Sequence, residues 1–238
     1  SANEVQGVIA HELGHITGGH AISDAGGKAA TGISLLSLLL GAAMAAAGGG
    51  DAAMGVLMAG QQAALGKFLA FTRSQEASAD AAGASFLAKA GISGRGSIAF
   101  FKKLQNLEFR HGYTRTLDSE FYRTHPFTGD RIATLQDTYA QDPAWNKPAD
   151  AALEARFQRV KAKLLGYMQE PKRTLQVYPE AMTGVPARYA RAYAWHKDAY
   201  LDKAMVEADS LLAAAPDDPF FLELKGQILL EAGRPEEA

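Results

Sequence analysis

The sequence predicts a mainly α-helical protein in two parts, a helical domain over residues 1–145 and a run of short helical hairpins over 149–238. Three observations predict it. Proline is sparse, at 9 of 238 residues, while alanine is abundant, a composition that favours helix. Apolar residues recur at three- and four-residue spacing along much of the chain. Beyond residue 149 short helical segments alternate with turns and show a period of 34 residues.

Composition narrows the function classes. With 47% hydrophobic and 21% charged residues, the chain is an ordered globular protein of a length that buries a useful core. The net charge is −2, and Lys and Arg are scattered without a basic block, which argues against a nucleic-acid partner. Cysteine is absent, which excludes disulfides, thiolate zinc sites and cysteine nucleophiles. The chain opens on Ser1 without a signal peptide and ends abruptly at Ala238. It reads as a piece or a processed product of a longer protein, so the lack of a targeting signal is uninformative.

The elements follow in order. Residues 3–20 read as a helix, with Asn3 as N-cap and Glu4 and Gln6 in its first turn. Val5, Val8, Ile9, Leu13 and Ile16 form an apolar stripe, and Gly18-Gly19 ends the helix. Between Lys28 and Lys67 the only charged residue is Asp51. Two apolar runs, about 32–47 and 52–65, flank Gly48-Gly49-Gly50-Asp51 and predict a helical hairpin. Each run is shorter than the roughly 20 residues a membrane-spanning helix needs. One reading of 29–66 is a hairpin buried or covered by a partner; the other is membrane-surface contact or shallow insertion. Residues 67–90 read as a separate helix ending at Gly91. Residues 94–109 form another, with Ile98, Phe101, Leu104 and Leu107 at helical spacing. A polar loop follows to Arg123. His125-Pro126 opens a helix that runs to about Tyr139, since proline suits a first turn. Residues 142–148 read as a linker. Thereafter Ala192–Ala204 superposes on Gly226–Ala238 at the 34-residue offset, with Ala199 on Gly233 and Ala204 on Ala238, the tetratricopeptide period.

The chemistry concentrates in His11-Glu12-Leu13-Gly14-His15. Positions four apart share a helix face, so His11 and His15 can hold one metal ion, and Glu12 projects beside it as a base for a water. A third ligand must come from elsewhere. Glu76 is the strongest candidate, and Asp80, one turn on, can accept a hydrogen bond from the other nitrogen of a ligand histidine and fix its tautomer. His20, nine residues after His11 and about half a turn out of phase on a helix, is a weak candidate ligand. His111 and His196 read as surface residues, and Tyr113 and Tyr122 as packed side chains near a loop.

These motifs, HELGH, then Ser74-Gln75-Glu76-Ala77-Ser78-Ala79-Asp80 about 60 residues on, then His125-Pro126 followed by Arg131, together resemble a known family. It is the zinc metallopeptidases that include the heat-shock protease HtpX, the CAAX prenyl proteases and the mitochondrial protease Oma. The periplasmic subgroup with C-terminal tetratricopeptide repeats, typified by BepA, is the most similar. The resemblance implies a gluzincin-type helical core followed by tetratricopeptide-like hairpins. It implies one zinc ion held by His11, His15 and Glu76, with Glu12 as base. It implies strands before the motif helix, which this chain starts too late to contain. It further implies a zinc endopeptidase of the Gram-negative periplasm, acting on unfolded or misassembled envelope proteins in outer-membrane quality control. For the matching segment the resemblance implies His125 as a displaceable fourth ligand or an oxyanion stabiliser, and Arg131 as a group that stabilises developing negative charge or holds an active-site carboxylate. The alternative function is a chaperone or docking module that binds partner proteins through its repeats while the protease site stays largely closed.

Overall fold

A computed structural model describes residues 1–20, 22, 25–111 (backbone only for 108–111) and 129–238. Among the described residues the secondary structure is helical, with no strand. The chain forms two compact units, Ala2–Ala149 and Asp150–Ala238.

The first unit contains α1 (Ala2–Thr17), α2 (Ala25–Ala46), α3 (Gly50–Ala90), α4 (Arg95–His111), α5 (Gly129–Ala140) and a 3-10 turn at Pro143–Asn146. Helix α1 meets its neighbours through its smallest residues. A Cβ on Gly14 would lie 2.5 Å from the Ala79 carbonyl oxygen, and one on Gly7 would lie 2.6 Å from Ser97 Cα. This close approach turns Gly7, Ala10, His11 and Gly14 inward. It leaves the apolar stripe facing out, with Val5, Ile9, Leu13 and Ile16 exposed. Asn3 lies inside the first turn and does not act as the cap: its amide donates to the Ser93 carbonyl at 2.9 Å and its Oδ1 accepts from Gly96 N at 2.8 Å, which ties α1 to the start of α4.

Helices α2 and α3 form the hairpin. Its second arm and the segment read as a separate helix from residue 67 are one helix of 41 residues. Gly66-Lys67 does not interrupt it, because neither residue removes a backbone donor as proline would. The helix stops at Gly91, whose left-handed φ of 64° closes the turn with Ile92 N donating to the Leu87 carbonyl. Helix α2 has 22 residues and is, among the described residues, long and apolar enough to cross a membrane, longer than the run predicted from sequence. The residues between the arms are small: Ser37 and Gly41 on α2, Ala53 and Ala64 on α3, with Gly60 against the Ser37 side chain. The large residues point away, and Leu35, Leu36, Leu38, Leu39, Leu40, Met54 and Met58 are exposed.

The core of this unit gathers Ala10, Ala84, Leu87, Ile98, Phe101, Ile132, Leu135 and Tyr139 from α1, α3, α4 and α5. Each large side chain buried there contributes roughly 1.5–3 kcal/mol. Residues 142–147, read from sequence as part of a linker, fold onto this unit. Asp142 caps the 3-10 turn, the Ser93 hydroxyl donates to the Trp145 carbonyl, and Trp145 packs against the core.

The second unit contains α6 (Ala151–Met168), α7 (Pro171–Val177), α8 (Val185–Lys197), α9 (Leu201–Ala214) and α10 (Pro219–Glu231), then a 3-10 turn at Pro235–Glu237. Helices α8 and α10 are each 13 residues long, and their ends are offset by 34. The turns after them share a feature at the same offset: Ala199 has φ 60° and Gly233 φ 77°. Tyr189, Tyr193, Leu211, Phe221, Leu224 and Ile228 form the core, with Ala192, Ala204 and Ala208 where helices approach. Arg159 lies over the Phe221 ring and forms a twofold pair with Asp218, the N-cap of α10.

Candidate metal centre

The crossing of α1 and α3 builds the site. Gly14 sits against Ala79, and a Cβ on Gly83 would lie 3.1 Å from His11 N. These two contacts remove side chains where the helices touch, so the residues beside them, His11 and His15 on α1 and Glu76 and Asp80 on α3, meet across the crossing. His11 Nε2 and His15 Nε2 lie 3.1 Å apart. Glu76 Oε2 is 3.5 Å from His11 Nε2, and Glu76 Oε1 is 3.3 Å from His15 Nε2. Ligand atoms about 2.0–2.1 Å from a tetrahedral ion are about 3.3 Å from one another. The His-His-Glu triangle therefore has the edge lengths of one face of such a site, and its donor set suits a borderline cation. Among the described residues these three form the group able to hold a metal ion.

The surrounding side chains orient the triangle. His11 Nδ1 is 2.9 Å from Asp80 Oδ1. Arg131, on α5, donates from Nε and Nη2 to the two oxygens of Asp80, and its Nη1 forms an ion pair with Glu76 Oε2 at 2.9 Å. Its guanidinium therefore holds both carboxylates. Phe101 lies edge-on to the His11 ring, and Arg131 sits over the Phe101 ring at 5.9 Å. Glu12 is half-buried on the turn between the two histidines. A cavity of about 480 Å³ between α3 and α5 reaches the Asp80–Arg131 pair, bounded by Ala77, Ala81, Leu135 and Tyr139.

The electrostatics follow from this geometry. Burial disfavours the His11 imidazolium, but hydrogen bonds and charge from Asp80 and Glu76 outweigh it and push the pKa up to about 9. Burial also raises the Asp80 carboxyl, and His11 and Arg131 together overcome it, holding Asp80 below the usual carboxylate range. Two carboxylates face one guanidinium, so the site carries a negative excess that a proton on His11 balances. A divalent cation supplies the same compensation.

The site also contains residues to which sequence reasoning gave little weight or another role. His20 was placed half a turn out of phase on a continuing helix, but α1 ends at Thr17. Gly19, at φ 65°, folds the chain back so that His20 N donates to the His15 carbonyl at 3.0 Å, the backbone closure of a Schellman turn. This brings His20 Nδ1 to 2.9 Å from His15 Nδ1. The Gly18-Gly19 pair was the available signal. Phe101, read as core, has the further contact with His11. His125, Tyr113 and Tyr122 lie outside the described residues, as does the His111 side chain. His196 lies in the second unit and pairs with Glu231 at 2.8 Å.

Comparison with known proteins gives one family. Peptidase family M48 matches residues 1–139. A putative beta-barrel assembly-enhancing protease from Vibrio cholerae is 27% identical over 234 residues, covering 94% of this chain and 46% of the relative. The beta-barrel assembly-enhancing protease of Escherichia coli is 28% identical over 251 aligned positions, covering 100% and 49%. Metalloprotease LoiP of Escherichia coli is 32% identical over 143 residues, covering 59% and 51%. The chain spans about half the length of these curated relatives. No solved structure matches it.

Proposed function

Because the chain belongs to peptidase family M48, a family of metallopeptidases, we propose that it is a zinc endopeptidase whose metal is held by His11, His15 and Glu76. The observation that carries this reading is the triangle of ligand atoms with 3.1–3.5 Å edges at the α1–α3 crossing. When bound, zinc supplies a Lewis acid that polarises a peptide carbonyl and lowers the pKa of a water. The chain's own residues do the rest. Glu12 takes the proton of the attacking water and delivers it to the departing amine. Asp80 holds the His11 ring through Nδ1, which directs Nε2 to the ligand position. Arg131 fixes both carboxylates, so Glu76 presents one oxygen in a constant direction. His125 is proposed as the group that meets the developing oxyanion or closes the fourth position.

Glu12→Gln tests the mechanism. Cleavage of an unfolded substrate such as casein falls by at least about 100-fold, while zinc remains near one per chain. Retained activity refutes the role of Glu12. Absence of zinc from the parent protein, with His15→Ala as control, refutes the metal centre itself.

The name of two relatives, beta-barrel assembly-enhancing protease, supports a role in beta-barrel assembly; on the family resemblance we extend the proposal to quality control of outer-membrane proteins in the periplasm of a Gram-negative cell, with envelope proteins as substrates. Residues 1–145 are then the peptidase domain and 149–238 a tetratricopeptide domain. The matched 13-residue helices at a 34-residue offset support a second reading, that the repeats dock partner proteins and cleavage is rare. Low turnover of casein combined with tight binding of an envelope assembly protein favours that reading over the first. The hairpin's small inner residues and large outer ones follow the packing of helices in lipid, so we assign residues 29–66 to contact with a membrane surface. Flotation with anionic phospholipid vesicles that persists after deletion of the hairpin tip refutes this.

A further inference from the structure

We infer that His20 is a positioning residue of the metal centre, the acceptor that fixes the tautomer and ring direction of His15. The inference rests on the proposed metal site and concerns how that site is held in shape. A neutral imidazole that offers Nε2 to a metal carries its proton on Nδ1, and that proton needs an acceptor. The two ligand rings meet this need differently. His11 Nδ1 faces the Asp80 carboxylate at 2.9 Å. His15 Nδ1 faces His20 Nδ1, also at 2.9 Å. With the His15 proton on Nδ1, His20 accepts through its own Nδ1, so its proton is on Nε2.

Three features of the fold hold His20 in this role. The left-handed residue Gly19 reverses the chain after α1. His20 N then donates to the His15 carbonyl at 3.0 Å, so backbone and ring engage the same residue. Gly18 leaves the ring its room, since a Cβ there would lie 2.5 Å from His20 Nε2. The rings of His15 and His20 stand at 78° with centroids 4.9 Å apart, an edge-on arrangement that aims nitrogen at nitrogen rather than stacking the faces.

Zinc affinity, measured on the full chain by competition with a chromogenic chelator, tests the inference. Parent protein that takes up no zinc overturns the metal centre as a whole, before any variant is made. Given a zinc-binding parent, three variants separate hydrogen bonding from packing. His20→Phe keeps an aromatic ring without an acceptor, and its zinc affinity falls about 10-fold or more, the usual effect of losing such a partner. His20→Asn places an amide oxygen where Nδ1 was and recovers most of the loss. Gly18→Ala displaces the ring without altering it and weakens zinc binding as His20→Phe does. Parental affinity in both His20→Phe and Gly18→Ala overturns the inference. So does an Asn variant as weak as the Phe variant, because packing would then be the whole effect.

Discussion

Each unit sets an arginine against buried carboxylate, but the two sites are built differently. In the second unit Arg191 is 2% exposed. It donates to one carboxylate, Glu207, and to the carbonyls of Pro179 and Met182. Glu207 also accepts from Arg188 Nη1 at 3.2 Å, so two guanidinium groups share one acid, and the other Arg191 donors go to the backbone and join the loop before α8 to α9. In the first unit Arg131 faces two acids, Glu76 and Asp80, and two imidazoles join them. That cluster keeps more acceptors than the arginine satisfies, and three of them converge on one point. A cluster whose one acid is already shared by two arginines has no acceptor to spare for a cation and holds a fold together. A cluster with excess negative charge and convergent lone pairs holds a cation.

The comparison can be broken or sharpened by three changes. The largest expected effect is in the closed cluster. Arg191→Ala removes the buried partner of Glu207, leaving it the more exposed Arg188, and deletes the bonds to the Pro179 and Met182 carbonyls; it costs about 3–5 kcal/mol of unfolding free energy, with zinc per chain unchanged. Loss of zinc in this variant breaks the distinction between the clusters.

Next is pH. The His11 pKa of about 9 lies above its ordinary 6.5, so its stabilising contribution is complete below pH 6.5 and is lost as pH rises through 9. Asp80 is shifted down from 3.8, so its contribution is present above that value and disappears as pH falls through the lower, folded-state pKa. Metal-free protein therefore loses on the order of 3 kcal/mol from pH 6.5 to beyond 9. Zinc-loaded protein does not show this loss, because the metal replaces the proton. Chemical unfolding of chelator-treated and zinc-loaded samples across that range reads the difference, and parallel curves contradict the charge accounting.

The smallest effect belongs to the repeat-like turns. Ala199 bears a left-handed φ that glycine accepts without strain, and Gly233 holds the matching position. Ala199→Gly gains about 1 kcal/mol and Gly233→Ala loses a similar amount, read as opposite shifts of the unfolding midpoint. Equal signs show that the two turns are not equivalent.

The sequence was most legible where chemistry and helix geometry coincide. His11 and His15 four apart, and Glu76 and Asp80 four apart, are pairs that a helix sets on one face, and the structure brings those faces together. The helical class was legible from composition and spacing. The direction of α1 was not. An apolar stripe marks a buried face only when the neighbours pack by hydrophobic bulk, whereas here they approach through Gly7, Ala10 and Gly14, which a hydrophobicity pattern does not register. His20 was given little weight because its phase was counted along a regular helix, and spacing alone does not show that Gly18-Gly19 folds the chain back onto His15. The unbroken length of α3 was hidden because a charged residue at 67 resembles a boundary when no neighbour is in view.

That length has a mechanical consequence. The tip of the hairpin and Glu76 are carried by the same helix, about 39 Å apart at 1.5 Å per residue. The helix is pinned near its other end, where Ala79 and Gly83 press on α1. A load applied at the tip therefore acts with a long lever arm about that fulcrum, and any tilt it produces swings the carboxylate of Glu76 relative to the two imidazoles.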